Sequence, residues 1–515
     1  MPMDFSAISR RLLSGNASRT ALASYFAFFS AAVCGLISIP VAVAYLDKPA
    51  LGLWAVINAA VTYLLWMDLG VGEATGRKMA DAVADSDQVE INRWWTTTRV
   101  VLLVQGLLVA CCGILLLEPF LRFFEVPDWQ RSEAAWLFCG TAATAGISMP
   151  LRGVPGLMVA QQRAYWTGVW QGASPWVNLL SFYVFLRMGW GLTAYLASML
   201  ITQGATWLYY AVLIRTGPQV PRWDFGGITK GRVSSLFRFS MSLSLMGIID
   251  SFASTLPTLV LGRYGGLAQV PIYTFTSKFP VLIVSLVNRT IWAFYPGFLR
   301  DYVSRGAVGV PVKHLAVTLI VTAFGLVCAG GVLVFNETLV TLLAGRDFYA
   351  GPLVSALFVA TILIEPGCHL FRFLIHLSGS AGYSSVVAAI NLVVVTVLAV
   401  VGYKWFGLPG LAGVGLLLPL PLAVYGLVHG ARTCGLTAGS LSMVGPILAF
   451  AGVVVIVLAG WVLQQLAPRA QAITLFDREF VLPLGIAWLM GALLWTAGGI
   501  IGVRALRSYH HKVQQ

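Results

Sequence analysis

The stretch GPLVSALFVATILIEPGCHLFRFLIHL, residues 351–377, is long and apolar enough to cross a bilayer, yet it carries Glu365, His369, Arg372 and His376. These four stand at i, i+4, i+7 and i+11, which at 3.6 residues per turn places them on one helical face. Most of the remaining side chains are Leu, Val, Ala, Phe and Ile, so a lipid face and a polar face are cleanly separated. An ionised side chain at the bilayer centre costs about 2.5–3.5 kcal/mol on insertion scales, and such residues therefore face a cavity or a partner. Pro366 removes a backbone donor beside Glu365 and invites a kink there. Two readings follow. One is a wet, charged lumen crossed by a bendable helix; the other is a self-neutralised seam, with Glu365 paired to Arg372 or a neighbour, that joins helices.

The whole chain shares this character. Its 515 residues are 58% hydrophobic and only 10% charged, with a mean hydropathy of +0.82. No soluble globular protein of this length has that composition, so the chain is read as an all-α polytopic membrane protein. The net charge of +13 suggests nucleic acid at first sight, but the basic residues are distributed as a topology signal instead. The seven cysteines (Cys34, Cys111, Cys112, Cys139, Cys328, Cys368 and Cys434) lie in largely apolar segments without metal-ligand spacing. They read as small buried hydrophobes.

In chain order, residues 1–20 form a basic N-terminal segment with Arg10, Arg11 and Arg19. The apolar run from Ala21 to Leu46 is too long for a signal-peptide core and is predicted as span 1, bent near Pro40. Span 2 runs from Ala50 to about Gly72. The charged stretch that follows, through Arg99, is predicted as an interfacial helix with Trp94 and Trp95 at the headgroups. Spans 3 to 6 are placed at 98–117, 133–160, 168–187 and 191–214, and a basic loop at 215–238 separates them from the second half. Spans 7 to 12 follow at 239–262, 270–297, 314–335, 350–377, 382–403 and 408–428. Two more are placed within 441–502, before a basic tail at 503–515. Fourteen spans put both termini on one side. With that side cytoplasmic, the inside loops and tails hold more than twice as many Lys and Arg as the outside loops.

A repeat runs through the chain. One constant offset takes Gly106-Leu107 to Gly325-Leu326, Glu118 to Glu337, Asp128 to Asp347, and Gly191-Leu192 to Gly410-Leu411. One further residue of slippage brings Arg152 onto Arg372. Six spans per repeat is an even number, so the halves, 21–214 and 239–428, share an orientation and relate by an axis along the membrane normal. That is a parallel-repeat plan of secondary transporters, with the substrate site between halves near the midplane.

The run Gly52-Leu53-Trp54-Ala55, then Asp68-Leu69-Gly70, then Ala74 and Arg77, resembles the helix 2 signature of bacterial polysaccharide flippases. These are the O-antigen-type lipid-linked oligosaccharide flippases of the multidrug/oligosaccharidyl-lipid/polysaccharide exporter superfamily. Fourteen spans, the six-plus-six duplication and the short loops are similar as well. The resemblance implies a bacterial inner-membrane protein with a cationic cavity between two lobes. It implies that undecaprenyl-pyrophosphate-linked glycan moves outward by alternating access. No basic residue occurs between Arg19 and Lys48, so the helix 1 arginine of the related lipid II flippases has no counterpart here.

The residues support such a substrate on their own chemistry. A pyrophosphate carrying sugars needs cations for its head and hydrogen-bonding groups for its hydroxyls. Arg suits phosphate because its fork binds bidentately. Arg152 and Arg372, at equivalent repeat positions, are the expected head-group ligands, with Glu365, His369, His376 and Lys278 beside them. Gln171, Ser174, Asn178 and Ser181 make a polar stripe on span 5, fit for sugar hydroxyls or for hydrogen bonds between helices. Asp250 and Lys278 lie at similar depth, ~15–18 Å into the membrane, and are expected to form an ion pair. Glu365 and Asp250 are also candidates for coupling to a proton or sodium gradient. Asp68 and Arg289 occupy nearly equivalent inner-end positions and read as interfacial anchors or as a cytoplasmic gate.

There is no GxxxxGK phosphate loop and no paired metal-ligand set, so neither direct ATP drive nor a cofactor is expected. The partners expected are the lipid-linked oligosaccharide and membrane lipids, with the protein a monomer. Two other readings stay open: an ion-coupled multidrug or cation antiporter, and a membrane enzyme acting on lipid-linked glycans. The short loops speak against the enzyme.

Overall fold

The computed structural model describes residues 16–305, 310–378 and 381–425, and every described element is helical. Spans 13 and 14, the tail at 503–515 and residues 1–15 lie outside the described residues. Nine of the described helices are long and apolar enough to cross a membrane. The protein is thus an all-α polytopic membrane protein, as its composition requires.

The helices form two compact units, Met1–Pro271 and Ile272–Gln515. The division falls later than the 215–238 loop, because the helix after that loop packs onto the first unit. In the first unit α1 is Asn16–Val43, α2 Lys48–Leu65, α3 Val71–Ala84, α4 Gln88–Leu115 and α5 Leu117–Phe123. Then come α6, Asp128–Ser148, α7, Gly153–Ala160, α8, Ala164–Arg187, α9, Thr193–Arg215, and α10, Lys230–Tyr264. Asp47 starts α2 by accepting from the Ala50 N–H at 2.9 Å, with Pro49 in the first turn. The charged stretch 73–99 is not one interfacial helix. Asp87 caps a new helix by accepting from the Val89 and Glu90 N–H groups, and α4 then runs unbroken from Gln88 into the membrane. Glu90 at its start receives both oxygens' worth of contact from Arg232 of α10, at 3.1 and 2.8 Å.

Close helix approach explains the small residues of the span 2 signature. A Cβ on Gly52 would overlap the Leu267 carbonyl oxygen, while Leu53, Val56 and Ile57 are fully buried. Trp54 stacks on Tyr195 of α9 at 4.2 Å. Gly76 of α3 and Gly156 of α7 meet backbone to backbone, the packing by which small residues let membrane helices touch. We expect Gly52→Ala to lose about 1–3 kcal/mol or more, because a backbone carbonyl cannot rotate away as a side chain can. A thermal midpoint in detergent equal to the parent's would show that α2 can back off from Leu267.

The second unit contains α11, Gln269–Arg305, α12, Val310–Ala344, α13, Pro352–Ser378, α14, Ala381–Leu417, and α15, Leu420–Tyr425. Within α14 the backbone leaves helical geometry at Gly407 (φ 64°), between predicted spans 11 and 12. Only glycine takes that conformation without steric cost. The unit is built on α13, which packs against α12, α14 and α15. Val359, Ile362 and Leu363 of α13 meet Ala329 and Val332 of α12, and Cys368 and Leu370 join Val287, Ile291 and Phe298 of α11. Inside α12, Asn336 donates to the Thr276 carbonyl at 3.1 Å and to Ser355 Oγ at 2.9 Å, while its own Oδ1 is buried without a partner among the described residues.

Candidate intramembrane charge sites

In the first unit the chain leaves α2 through a single 3-10 turn, Trp66–Asp68, followed by two left-handed residues, Leu69 (φ 49°) and Gly70 (φ 72°). Asp68 fastens this break. Its Oδ1 accepts from the Gly70 N–H at 3.0 Å, and its Oδ2 accepts from Arg152 Nη1 at 2.6 Å. The same Nη1 donates at 3.2 Å to the carbonyl of Leu65, the last residue of α2. Gln105 of α4 completes the turn by donating to the Met67 and Asp68 carbonyls. Arg152 itself ends a 3-10 turn, Met149–Arg152, where Pro150 interrupts the α6–α7 line. Gly72 lets α3 approach so closely that a Cβ there would press on the Arg152 carbonyl.

The pair is asymmetric. The Asp68 side chain is only 8% exposed, whereas that of Arg152 is 34% exposed. Arg152 commits one nitrogen to Asp68 and Leu65; among the described residues its Nε and Nη2 donate to none. It is therefore a cation held by one edge of its fork, with the other edge available. The sequence reading matches Asp68 with Arg289 and Arg152 with Arg372, and does not join Asp68 to Arg152.

In the second unit Glu365 accepts from Asn288 Nδ2 through both carboxylate oxygens, at 3.1 and 2.9 Å. His369, one turn along α13, brings Nδ1 to 3.9 Å from the same carboxylate, and its ring packs edge-on to Trp292 at 5.9 Å. Glu365 and His369 are 16% and 13% exposed, so this end of the polar face is protein-covered. The helix continues to Ser378, which keeps the i+7 and i+11 register, but the side chains of Arg372 and His376 lie outside the described residues. Asn288 and Gln105 were missed in the sequence, although a lone amide inside an apolar span was the signal available.

The other candidates divide. Asn178 points across to α9, its Nδ2 lying 3.4 Å from Ser198 Oγ and 3.3 Å from Thr202 Oγ1. Ser181 turns back to the Val177 carbonyl, while Gln171 is exposed. Lys278 is half-buried on α11 and Arg289 lies next to Asn288 on the same helix. The side chain of Asp250 lies outside the described residues. A small polar cavity of ≈ 110 Å³ opens inside the first unit among Asn58, Thr62, Thr141, Thr144, Ser148 and Gln203. It has room for waters and none for a glycan.

A sequence model of a family described as polysaccharide biosynthesis protein matches residues 20–300. No curated protein matches the chain. Among solved structures, an inward-facing multidrug resistance MATE family transporter of the MOP superfamily superposes with a TM-score of 0.65 at 13% identity, over 82% of this chain and 98% of that one. A MOP superfamily transporter from Pyrococcus furiosus, described as having a binding pocket of reverse polarity, gives 0.60 at 15% identity, over 82% and 97%. A mutant of the Vibrio cholerae MATE transporter VcmN gives 0.57 at 14% identity, over 82% and 98%. At these identities the likeness concerns the fold.

Proposed function

Because the chain belongs to the polysaccharide biosynthesis protein family and folds like MOP superfamily transporters, a class of transporters and not of enzymes, we propose that it is a secondary-active flippase for lipid-linked oligosaccharide. The substrate is an undecaprenyl-pyrophosphate-linked glycan, carried from the cytoplasmic to the outer leaflet of a bacterial inner membrane by alternating access between two six-helix repeats. Both termini are cytoplasmic, as the distribution of Lys and Arg favours.

The observation that supports this best is Arg152. An intramembrane guanidinium held by Asp68 through one nitrogen, with Nε and Nη2 left over, is suited to a phosphate that binds two donors at once. Arg372 is the corresponding ligand in the second unit, with His369 and His376 extending its polar face and Lys278 as a further cation. Gln171 remains on α8 for sugar hydroxyls, while Asn178 is engaged by α9. Asp68 and Arg289 act as gate residues in this reading, and Glu365 and Asp250 as coupling groups for a proton or sodium gradient.

One observation favours a second reading, an ion-coupled antiporter for drugs or cations. Glu365 sits in a covered site between Asn288 and His369, where a carboxylate can exchange a proton or cation. Reconstitution decides between the two. Purified protein in liposomes should move a polyprenyl-pyrophosphate oligosaccharide to the far leaflet, where an added glycosidase reaches it. Gradient-driven movement of a cationic dye, with the glycan left in place, would overturn the flippase reading.

Asp250 and Lys278 carry a further proposal, that they form an ion pair. If they do, each single neutral variant loses about 3–5 kcal/mol and the double variant much less. Additive losses in thermal midpoint would mean that the two charges do not meet.

A further inference from the structure

We propose that Arg99, Trp95 and Trp207 form a binding site for the phosphate headgroup of a membrane lipid on the outer flank of the first unit. The proposal stands apart from the transport reading, because none of these residues belongs to the Asp68–Arg152 or Glu365 sites.

Three observations place the guanidinium against lipid. On α4, Arg99 continues the stripe of Leu103 and Leu107, which are 57% and 63% exposed, at successive i+4 steps. On α9, Trp207 borders a second exposed stripe through Ile201, Leu208 and Val212. Gly204, one turn above Trp207, has open space where a Cβ would stand. In a membrane protein such exposed apolar stripes meet acyl chains.

Depth agrees with a headgroup. Arg99 lies eleven residues beyond Gln88, roughly 16 Å along the helix, and a helical side chain leans back toward the N-terminus by most of a turn. Its guanidinium therefore returns to the level of Trp95, where the indoles of an interface sit. Trp207 lies eight residues before Arg215, the end of α9, which is a comparable depth from the same side.

The site is built. The guanidinium carbon lies 4.5 Å from the Trp95 ring centroid and 5.9 Å from that of Trp207, so indoles from two helices cradle it. Trp95 is itself buried in a cluster with Leu151, Val154, Leu157 and Tyr210, which fixes its plane. Stacking satisfies the face of a guanidinium but not its in-plane N–H donors. Nε is buried with no hydrogen-bond partner, and no hydrogen bond or ion pair to a described residue engages the guanidinium. A partly desolvated cation without a counterion needs one from outside, and at this depth on a lipid-facing flank the available anion is a lipid phosphate. The open fork suits two of its non-bridging oxygens.

The test is a lipid titration of the purified full chain, read by native mass spectrometry. Phosphatidylglycerol is the probe, phosphatidylcholine the zwitterionic comparison and inorganic phosphate the soluble competitor. Arg99→Gln should weaken the tightest phosphatidylglycerol site roughly ten- to hundredfold, the range expected for charge-assisted hydrogen bonds. Arg99→Lys should recover part of that affinity. Trp207→Leu keeps the charge, removes one wall of the cradle, and should weaken binding severalfold; it carries the test if Arg99→Gln does not accumulate. Wild-type affinity in Arg99→Gln, or in Trp207→Leu where that variant carries the test, overturns the site. Displacement of the lipid by millimolar inorganic phosphate overturns the lipid as ligand.

Discussion

Asp68→Asn is expected to destabilise the protein by about 3 kcal/mol, near the lower end of the range for breaking a buried ion pair. The lower end applies because a third of the Arg152 side chain is exposed, while Asp68 is almost wholly enclosed. Asparagine keeps an oxygen for the Gly70 N–H, so the turn itself retains its local bond. What is lost is the 2.6 Å contact to Nη1, which leaves a guanidinium facing the Leu65 carbonyl alone. Arg152→Gln strands the more deeply buried partner, and an enclosed carboxylate without a cation costs at least as much. Removing both charges together should cost only about 1–2 kcal/mol, because no unpaired ion remains. Thermal midpoints of the two single variants and the double variant in detergent give the coupling. If the double variant loses the sum of the two singles, Asp68 does not hold Arg152, and the α2–α3 break rests on its local bonds and on Gln105.

Arg372→Ala should weaken binding of a lipid-linked pyrophosphate by roughly ten- to several-hundredfold, the equivalent of one or two charge-assisted hydrogen bonds. Lysine at 372 keeps the charge and loses the fork, so it should retain part of the function. Glu365→Gln should behave differently. Asn288 Nδ2 now serves both carboxylate oxygens, and Asn288 Oδ1 is buried with no partner among the described residues. A glutamine at 365 can pair with Asn288 as amide to amide, each donating once, if the Asn288 amide turns over. The fold is thereby preserved and only the charge is lost. Substrate binding should then be unchanged or tighter, and turnover slower, because an anion that competes for the arginine has gone. Export of surface glycan in a strain lacking its own flippase reports turnover, with membrane levels of each variant measured alongside. Arg372→Ala present at parental level and exporting like the parent would remove the clamp and leave the polar face of α13 as a helix-joining seam.

Much of the architecture is legible in the residues. Helices in a bilayer must satisfy their backbone internally, so length and apolar content alone mark the spans, and the described helices stand where the apolar runs are. The spacing of Glu365 and His369 is likewise a one-helix property, and α13 brings both to the same carboxylate–imidazole site. The span 2 signature is legible only as a resemblance; that Gly52 within it admits the Leu267 carbonyl comes from the fold.

What the chain could not declare is which helix stands beside which. Asp68 and Arg152 are both visible as intramembrane charges, but their union depends on Gly72 admitting α3 against the 3-10 turn that carries Arg152. Asn288 is unremarkable until α11 lies across α13, and the stripe on α8 is divided only once α9 sets Ser198 and Thr202 beside Asn178. The break at Asp87 was also hidden, since a capping aspartate within a run of charges looks like any other surface residue. Periodicity is a property of one helix in a solvent of lipid, and the sequence by itself determines it. Partnership between polar groups is a property of two helices, and only the tertiary packing of small residues decides it.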